Sequence, residues 1–423
     1  MSAKRPSRRT FMTTSLTFAG GVALTACTAD PRGGGSGSAK VLLSHWYHAY
    51  GEPGTQEAVK RYAAQYTAEN PDVAVKITWV AGEYETKLNS ALLGTGAPDV
   101  FEIGDFRRQL VTNGYVTPLD DILGADSGLP ADSLAPVTVD GRTYGIKKFD
   151  DVMMLYYRKS ALAEAQVPLP RTFDDLARAA DALTHGDRKG LFVGNDGIGD
   201  VGYLLLWSAR GDLTDAHAKI AFTTPRATRA IAGIRRLHAS KSLLRGFTTD
   251  WYDPGALVQG AAAMHWCGLW AMPAVTKELG DDYGVLPWPA IDSDGAPAVR
   301  VGAWYELVNA KGRHVEEAKK YVRWLWLKQD DLQRDFAVRY GFHVPARSAV
   351  VAGTPELTRK PAADAVAIGA AYGKSFPNTW STATATAFAG AVNAMAQGAD
   401  AAKALAPAAT ACQRDIDEQL ARS

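Results

Sequence analysis

The chain has 423 residues, with 46 Lys and Arg against 45 Asp and Glu, a formal net charge of +1 and 47% hydrophobic residues. That near-neutral balance leaves no electrostatic footprint for nucleic acid or an anionic membrane surface. Beyond the first 26 residues, no stretch approaches the roughly eighteen continuous apolar residues that a membrane-spanning helix requires.

The first 27 residues carry an export pattern. Lys4, Arg5, Arg8 and Arg9 stand there without an acid. Ser7-Arg8-Arg9-Thr10-Phe11-Met12 matches the twin-arginine pattern of bacterial Tat signals. The apolar stretch Phe11–Ala26 is too short and too rich in Thr and Gly for a stable span. It ends in Leu24-Thr25-Ala26-Cys27, which resembles a lipobox, where small residues admit a peptidase and the thiol takes lipid. The expectation is a signal peptide over residues 1–26, a lipid on Cys27 and a flexible linker over 27–38. Removing the signal leaves 397 residues, 42 Lys and Arg against 45 Asp and Glu, a net charge of −3. That length suggests two to three domain-sized cores outside the cell. Cys267 and Cys412 remain. An oxidising location permits a bridge between them, but spacing does not decide it, and two buried thiols are the favoured reading.

Strand and helix then alternate. Val41-Leu42-Leu43 reads as a first strand. Ala58, Val59, Tyr62, Ala63 and Tyr66 recur at helical spacing up to Asn70-Pro71. Val73, Val75, Ile77 and Trp79 alternate as a strand does. Tyr84–Leu93 predicts a helix closed by Gly94, Val100–Ile103 a strand, and Phe106–Asn113 a helix closed by Gly114. This order implies a mostly parallel sheet covered by helices. Val152–Tyr157 predicts another strand. Thr172 with Asp175 fits a capping box, and Thr224-Pro225 an N-cap followed by proline at the first helical position, for a helix through Ile231, Ile234 and Leu237. Val315, Ala318, Val322 and Leu325 mark an amphipathic helix. The tail Thr382–Leu420 reads as mainly helical, interrupted near Pro407.

Several segments in this order resemble extracellular solute-binding proteins of ABC importers, in the carbohydrate-binding family that includes maltose-binding protein. They are Tyr66–Val73, Leu93–Val100 with its Gly-x-x-Pro-Asp-Val stretch, Gly114–Leu119, Tyr144-Gly145-Ile146 with Leu155–Lys159, Thr172–Leu176, and Gln259–Met264 followed by Gly268-Leu269-Trp270. The likeness covers nearly the whole mature chain. One departure stands out: Lys147-Lys148 follow Tyr-Gly-Ile where the family often has Pro. The resemblance implies an α/β, two-lobed periplasmic-binding-protein fold of type II, with a ligand cleft between the lobes. Lobe one is expected at 39–147 plus 289–340 and lobe two at 151–286 plus 346–423. Crossings are expected near Lys147–Asp151, Pro287–Trp288 and Gly341–Pro345.

Sugars present flat C–H faces and rings of hydroxyls, so a sugar site wants aromatic plates with carboxylates, amides or imidazoles around them. The chain has eleven Trp and sixteen Tyr. The resemblance ranks Trp270 as a stacking residue, Trp304 with Tyr305 on a cleft-lining segment, and Trp380 at the rim. Trp46 ends the first strand, with Tyr47 and His48 in the loop that faces the cleft, and Tyr84 opens the second helix. Asp105 and Asp151 are expected to take hydroxyls, with Asp150 as the alternate to Asp151, and Glu52 and His343 stand behind them. Trp207, Trp251 and Trp266 form a second tier that reads more readily as packing, as do Trp324 and Trp326.

Other signals fall away. His45-x-x-His48 has no completing ligand set for a metal, Asp292–Gly295 lacks the Glu of a calcium loop, and Gly194–Asp200 is no phosphate loop. No cofactor or metal is expected. The resulting expectation is a monomeric, lipid-anchored receptor, not an enzyme, that captures a sugar or oligosaccharide by lobe closure outside the cell membrane and delivers it to a permease. Two alternatives stay open: an exported glycoside hydrolase, which would need a pair of carboxylates flanking the scissile bond, and a receptor for a polyamine or other non-sugar solute.

Overall fold

The computed structural model describes residues 39–51, 53–124, 127–198 and 200–422. The expected signal, the linker with Cys27, and Glu52 lie outside the described residues.

Twelve strands are present among the described residues: β1 (Val41–His48), β2 (Val73–Val80), β3 (Val100–Ile103), β4 (Thr138–Val139), β5 (Arg142–Thr143), β6 (Ile146–Arg158), β7 (Lys189–Phe192), β8 (Ala262–Gly268), β9 (Tyr283–Leu286), β10 (Val299–Val308), β11 (Val344–Pro345) and β12 (Gly373–Lys374). Ten of them form one sheet, in the order β2-β1-β3-β10-β6-β8-β7, with β9 and β11 on β6 and β12 on β10; β4 and β5 pair separately. The pairs β1–β2 and β1–β3 are parallel, as the alternation of strand and helix requires. The long strands β6 and β10 run antiparallel from one half to the other. β10 meets β3 at Tyr305–Val308 and β6 at Arg300–Glu306, and β6 goes on to meet β8 at Met153–Tyr157. Helices cover both halves, and the result is a two-lobed α/β fold.

Helical spacing translates into burial. Thr55–Glu69 is a helix that buries Ala58, Val59, Tyr62, Ala63 and Tyr66. Tyr84–Leu93 is helical as predicted. At Phe173–Leu183 the capping box is complete, with Thr172 accepting from the Asp175 N–H and the Asp175 carboxylate accepting from the Thr172 N–H at 3.0 Å. The helix expected over Phe106–Asn113 shrinks to Gln109–Thr112. There the Arg108 N–H donates to the distant Asn378 carbonyl at 2.9 Å and its guanidinium pairs with Asp140, so tertiary partners replace the helical ones. In the tail the break falls before Pro407, which lies inside the helix Ala401–Ala421. The chain turns instead at Gly398, with φ +106°, and Asp400 caps the new helix at the Lys403 N–H.

Each half has its own core. Leu43, Tyr47, Tyr62, Phe149 and Tyr321 pack in the first, and Leu155, Leu176, Leu204, Trp266 and Phe388 in the second. A crossing was expected at Pro287–Trp288. In the structure Trp288 is fully buried in the second core, the Phe173 N–H donates to the Ala290 carbonyl, and the Ile291 N–H donates to the Ser208 carbonyl. These contacts tie Trp288–Ile291 to the second core. Cys267 and Cys412 are free and buried, and burial pushes the Cys412 thiol up to about 12. Among the described residues no helix is long and apolar enough to cross a membrane.

Candidate ligand-binding cleft

A cavity of about 440 Å³ lies where the two halves meet. The first half contributes His48, Tyr50, Trp304 and Tyr340; the second contributes Tyr252, Asp253 and Trp270; the connecting segments contribute Asp151, Gly341 and His343. A larger groove of about 840 Å³ lies on another face, between the helix Met272–Leu279 and the segment Asp330–Gly341. It carries mixed charges that already pair with one another, such as Arg334 with Asp331 and Arg339 with Asp335. The smaller cavity holds the aromatic plates.

β1 runs on through His48, so residues 45–48 alternate as a strand rather than forming a loop. His45 and Tyr47 are fully buried. His48 reaches the cavity and lies between Tyr50 and Trp304, 3.8 Å from each ring centre and within 8° of parallel to both. Its N–H donates to Glu102 Oε1 at 2.7 Å, and its Nδ1 pairs with the same oxygen. Glu102, on β3, also meets Lys148, the second of the two lysines that depart from the family pattern. Lys148 Nζ lies 3.7 Å from Glu306 Oε2. Glu306 in turn meets His45 Nε2 at 2.9 Å and accepts from Trp326 Nε1 at 2.8 Å. Burial alone would raise the Glu102 carboxyl, but Lys148 and His48 outweigh it and hold it at about 2. A fully buried ionic network thus fixes the imidazole in its stack.

Across the cavity, Trp270 follows Gly268 at the end of β8. A Cβ on Gly268 would stand 2.0 Å from the indole, so the glycine is what lets the ring fold back. Trp270 Nε1 donates to the Tyr252 carbonyl at 2.8 Å, and Trp251 meets the indole edge-on at 5.9 Å. The connecting segments supply a polar pair, Asp151 with His343 Nδ1, nearly buried, with His343 stacked on Phe149 at 3.9 Å. His343 is delivered by a wide helical turn over Asp335–Gly341 that ends in a left-handed Phe342, φ 52°. Backbone in that region is uncommon outside glycine.

Of the residues singled out from the sequence, His48, Asp151, Trp270, Trp304 and His343 come together here. Trp46 packs with the first half's core, and Tyr84 is buried with its hydroxyl donating to the Glu102 carbonyl at 2.7 Å. Asp105 is held by Arg300 at 2.9 Å, which also grips Asp200. Asp150 and Tyr305 face a separate cavity on the other side of the crossing strands, where Lys147 pairs with Asp150 at 2.6 Å. Trp380, Trp207 and Trp266 are buried in the second core, with Trp251 against it. Sequence reasoning passed over Tyr50, Tyr252, Asp253, Tyr340 and Gly341. Tyr50 stands two residues beyond His48, and Tyr252-Asp253 directly follow Trp251, so proximity to residues already chosen was the available signal.

The chain is similar to known proteins in sequence and fold. A "Probable ABC transporter-binding protein" of Deinococcus radiodurans is 28% identical over 219 residues, 48% of this chain and 52% of that protein. The chain thus spans about half the length of that relative. A "Multiple sugar-binding protein" of Streptococcus mutans is 21% identical over 293 residues, 63% of this chain and 67% of that protein. The GacH receptor of Streptomyces glaucescens, solved unliganded and with acarbose, superposes with a TM-score of 0.75 at 23% identity, covering 89% of this chain and 99% of the receptor. Residues 52–329 match the family described as bacterial extracellular solute-binding protein. With a two-lobed fold, a cleft at the junction of the lobes and that match over more than half its length, the chain belongs to the bacterial extracellular solute-binding protein family.

Proposed function

We propose that the protein is the lipid-anchored receptor of an ABC importer, working outside the cell membrane, that traps a sugar or oligosaccharide between its lobes and hands it to a permease. The observation that carries this reading is the set of aromatic faces, Trp304 with His48 and Tyr50 from one lobe and Trp270 from the other, around one cavity. The Trp270 and Trp304 indoles suit the C–H planes of pyranose rings, with His48 and Tyr50 stacked behind Trp304, and the Asp151–His343 pair suits their hydroxyls. The names of relatives that bind multiple sugars and acarbose point the same way. Lobe one is taken as residues 39–147 with Trp304–Tyr340, and the crossings as β6, the part of β10 before Trp304, and 341–345. A solute touching both lobes makes its full contacts only when they close, and so shifts the population toward the closed form. Cys27 would carry the anchor, and residues 27–38 the leash.

A thermal-shift screen against mono- and oligosaccharides, followed by calorimetry, tests this. A cognate sugar at a hundred times its Kd stabilises by about 2.7 kcal/mol, and the ligand is recovered unchanged. No shift with any sugar, or a hydrolysed one, would overturn the reading.

A further inference from the structure

The cleft has a sign of charge. Apart from tyrosine hydroxyls, its ionisable lining groups are His48, Asp151, Asp253 and His343, and among the described residues no Lys or Arg lines it. The cations near the junction are committed elsewhere: Arg300 to Asp105 and Asp200, Lys147 to Asp150, and Lys148 to Glu102. Behind the plates, Glu102 and Glu306 share the single ammonium of Lys148.

Besides the tyrosine hydroxyls, which donate as well as accept, the polar side chains lining the cleft offer acceptors. A carboxylate only accepts, so the bond from His343 to Asp151 places the imidazole proton on Nδ1 and leaves a lone pair on Nε2 in the neutral ring. His343 Nε2 is buried and has no hydrogen-bond partner among the described residues. It lies beside Gly341, where a Cβ would stand 2.0 Å from it, so glycine keeps carbon off the nitrogen. Asp253 Oδ1 accepts from the Gly255 N–H at 2.8 Å and the Thr249 hydroxyl at 3.0 Å. Its Oδ2 takes no hydrogen bond among the described residues. Around these acceptors stand the aromatic side chains of Trp270, Trp304 and Tyr252.

We infer that the preferred solute is an amino sugar carrying a protonated amine, rather than a neutral or acidic sugar. This rests on the sugar reading above and deepens it. An ammonium donates to the carboxylate and to the His343 lone pair, and aromatic faces attract it. An acidic sugar would be desolvated against carboxylates with no countercharge, the unfavourable case for a buried ion.

Calorimetry with matched ligands decides the matter. The probes are glucosamine and its disaccharide, glucose and cellobiose as hydroxyl counterparts, the N-acetylated forms, and the corresponding uronates. Choline and its neutral isostere 3,3-dimethylbutan-1-ol form a sugar-free arm. The amine form is expected to bind at least about tenfold more tightly than its hydroxyl counterpart, with the gain lost on N-acetylation. Asp253→Asn is expected to remove most of that preference while leaving the melting temperature unchanged. Equal or tighter binding of neutral sugars, or tightest binding of uronates, overturns the inference and leaves the sugar reading standing. Binding of choline without its isostere and without any sugar supports cation recognition and overturns the sugar reading. No binding in any arm overturns both.

Discussion

Replacing Lys148 by Met tests whether the buried network is held by the charge balance seen in the structure. Lys148, Glu102 and Glu306 are all essentially inaccessible to solvent. Removing the ammonium leaves Glu102 with His48 alone, and Glu306 with His45 and Trp326. Breaking a buried pair in this way costs about 3–5 kcal/mol. The acid side supplies a second figure. Glu102 sits at about 2 against an ordinary 4.5, and a gap of that size corresponds to about 3 kcal/mol. Because the folded value is depressed, this stability is present in full above the unfolded value. It is lost as pH falls from about 5 toward about 2. In Lys148→Met burial dominates and raises the carboxyl, so that loss shrinks. Urea unfolding followed by tryptophan fluorescence is expected to show a gap of about 3–5 kcal/mol between wild type and variant at pH 7, and a much smaller one at pH 3. Adding Glu102→Gln should recover about 1 kcal/mol or more at pH 7, since it removes the stranded charge. Equal midpoints at pH 7, or a gap that persists undiminished at pH 3, would refute the argument.

Three further outcomes are expected. Trp270→Ala should weaken sugar binding about tenfold or more by calorimetry, with little change in unfolding midpoint, because the indole lies partly exposed at the cavity rather than in a core. Gly268→Ala forces a methyl carbon to within 2.0 Å of the Trp270 ring. It should displace the indole, lower affinity and change the tryptophan emission, at a cost of about 1–3 kcal/mol; unchanged affinity and emission would mean that the ring does not need that space. Cys27→Ser should abolish incorporation of labelled fatty acid and release the protein from the membrane fraction. Continued labelling would place the lipid elsewhere.

Periodicity made most of the first lobe legible. Ala58, Val59, Tyr62, Ala63 and Tyr66 announce their helix because one-sided burial imposes its repeat on the sequence, and the alternation of Val73, Val75, Ile77 and Trp79 announces their strand. Short motifs did the same at the cleft. Gly268-Leu269-Trp270 is readable because a ring that folds back over its own strand end requires the glycine. Errors arose where long-range partners intervene. Arg108 is drawn out of a helix by Asn378 and Asp140, and Tyr47 turns inward because β1 extends two residues beyond Trp46, its end as expected from the sequence.

The sequence by itself determined the alternation of strands and helices, the likeness to solute receptors, and the pool of aromatics from which a sugar site could be built. It did so because hydrophobic repeats, caps and glycine positions act over a few residues. Which members of that pool meet was decided by the tertiary structure alone. Trp304, His48 and Trp270 come together because β1 and β8 end at the junction that β10 crosses at Trp304, while Trp380, Tyr305 and Asp105 are turned elsewhere by packing, strand alternation and Arg300. The partners of Lys148, 46 and 158 positions away in the chain, likewise exist only once the sheet has formed.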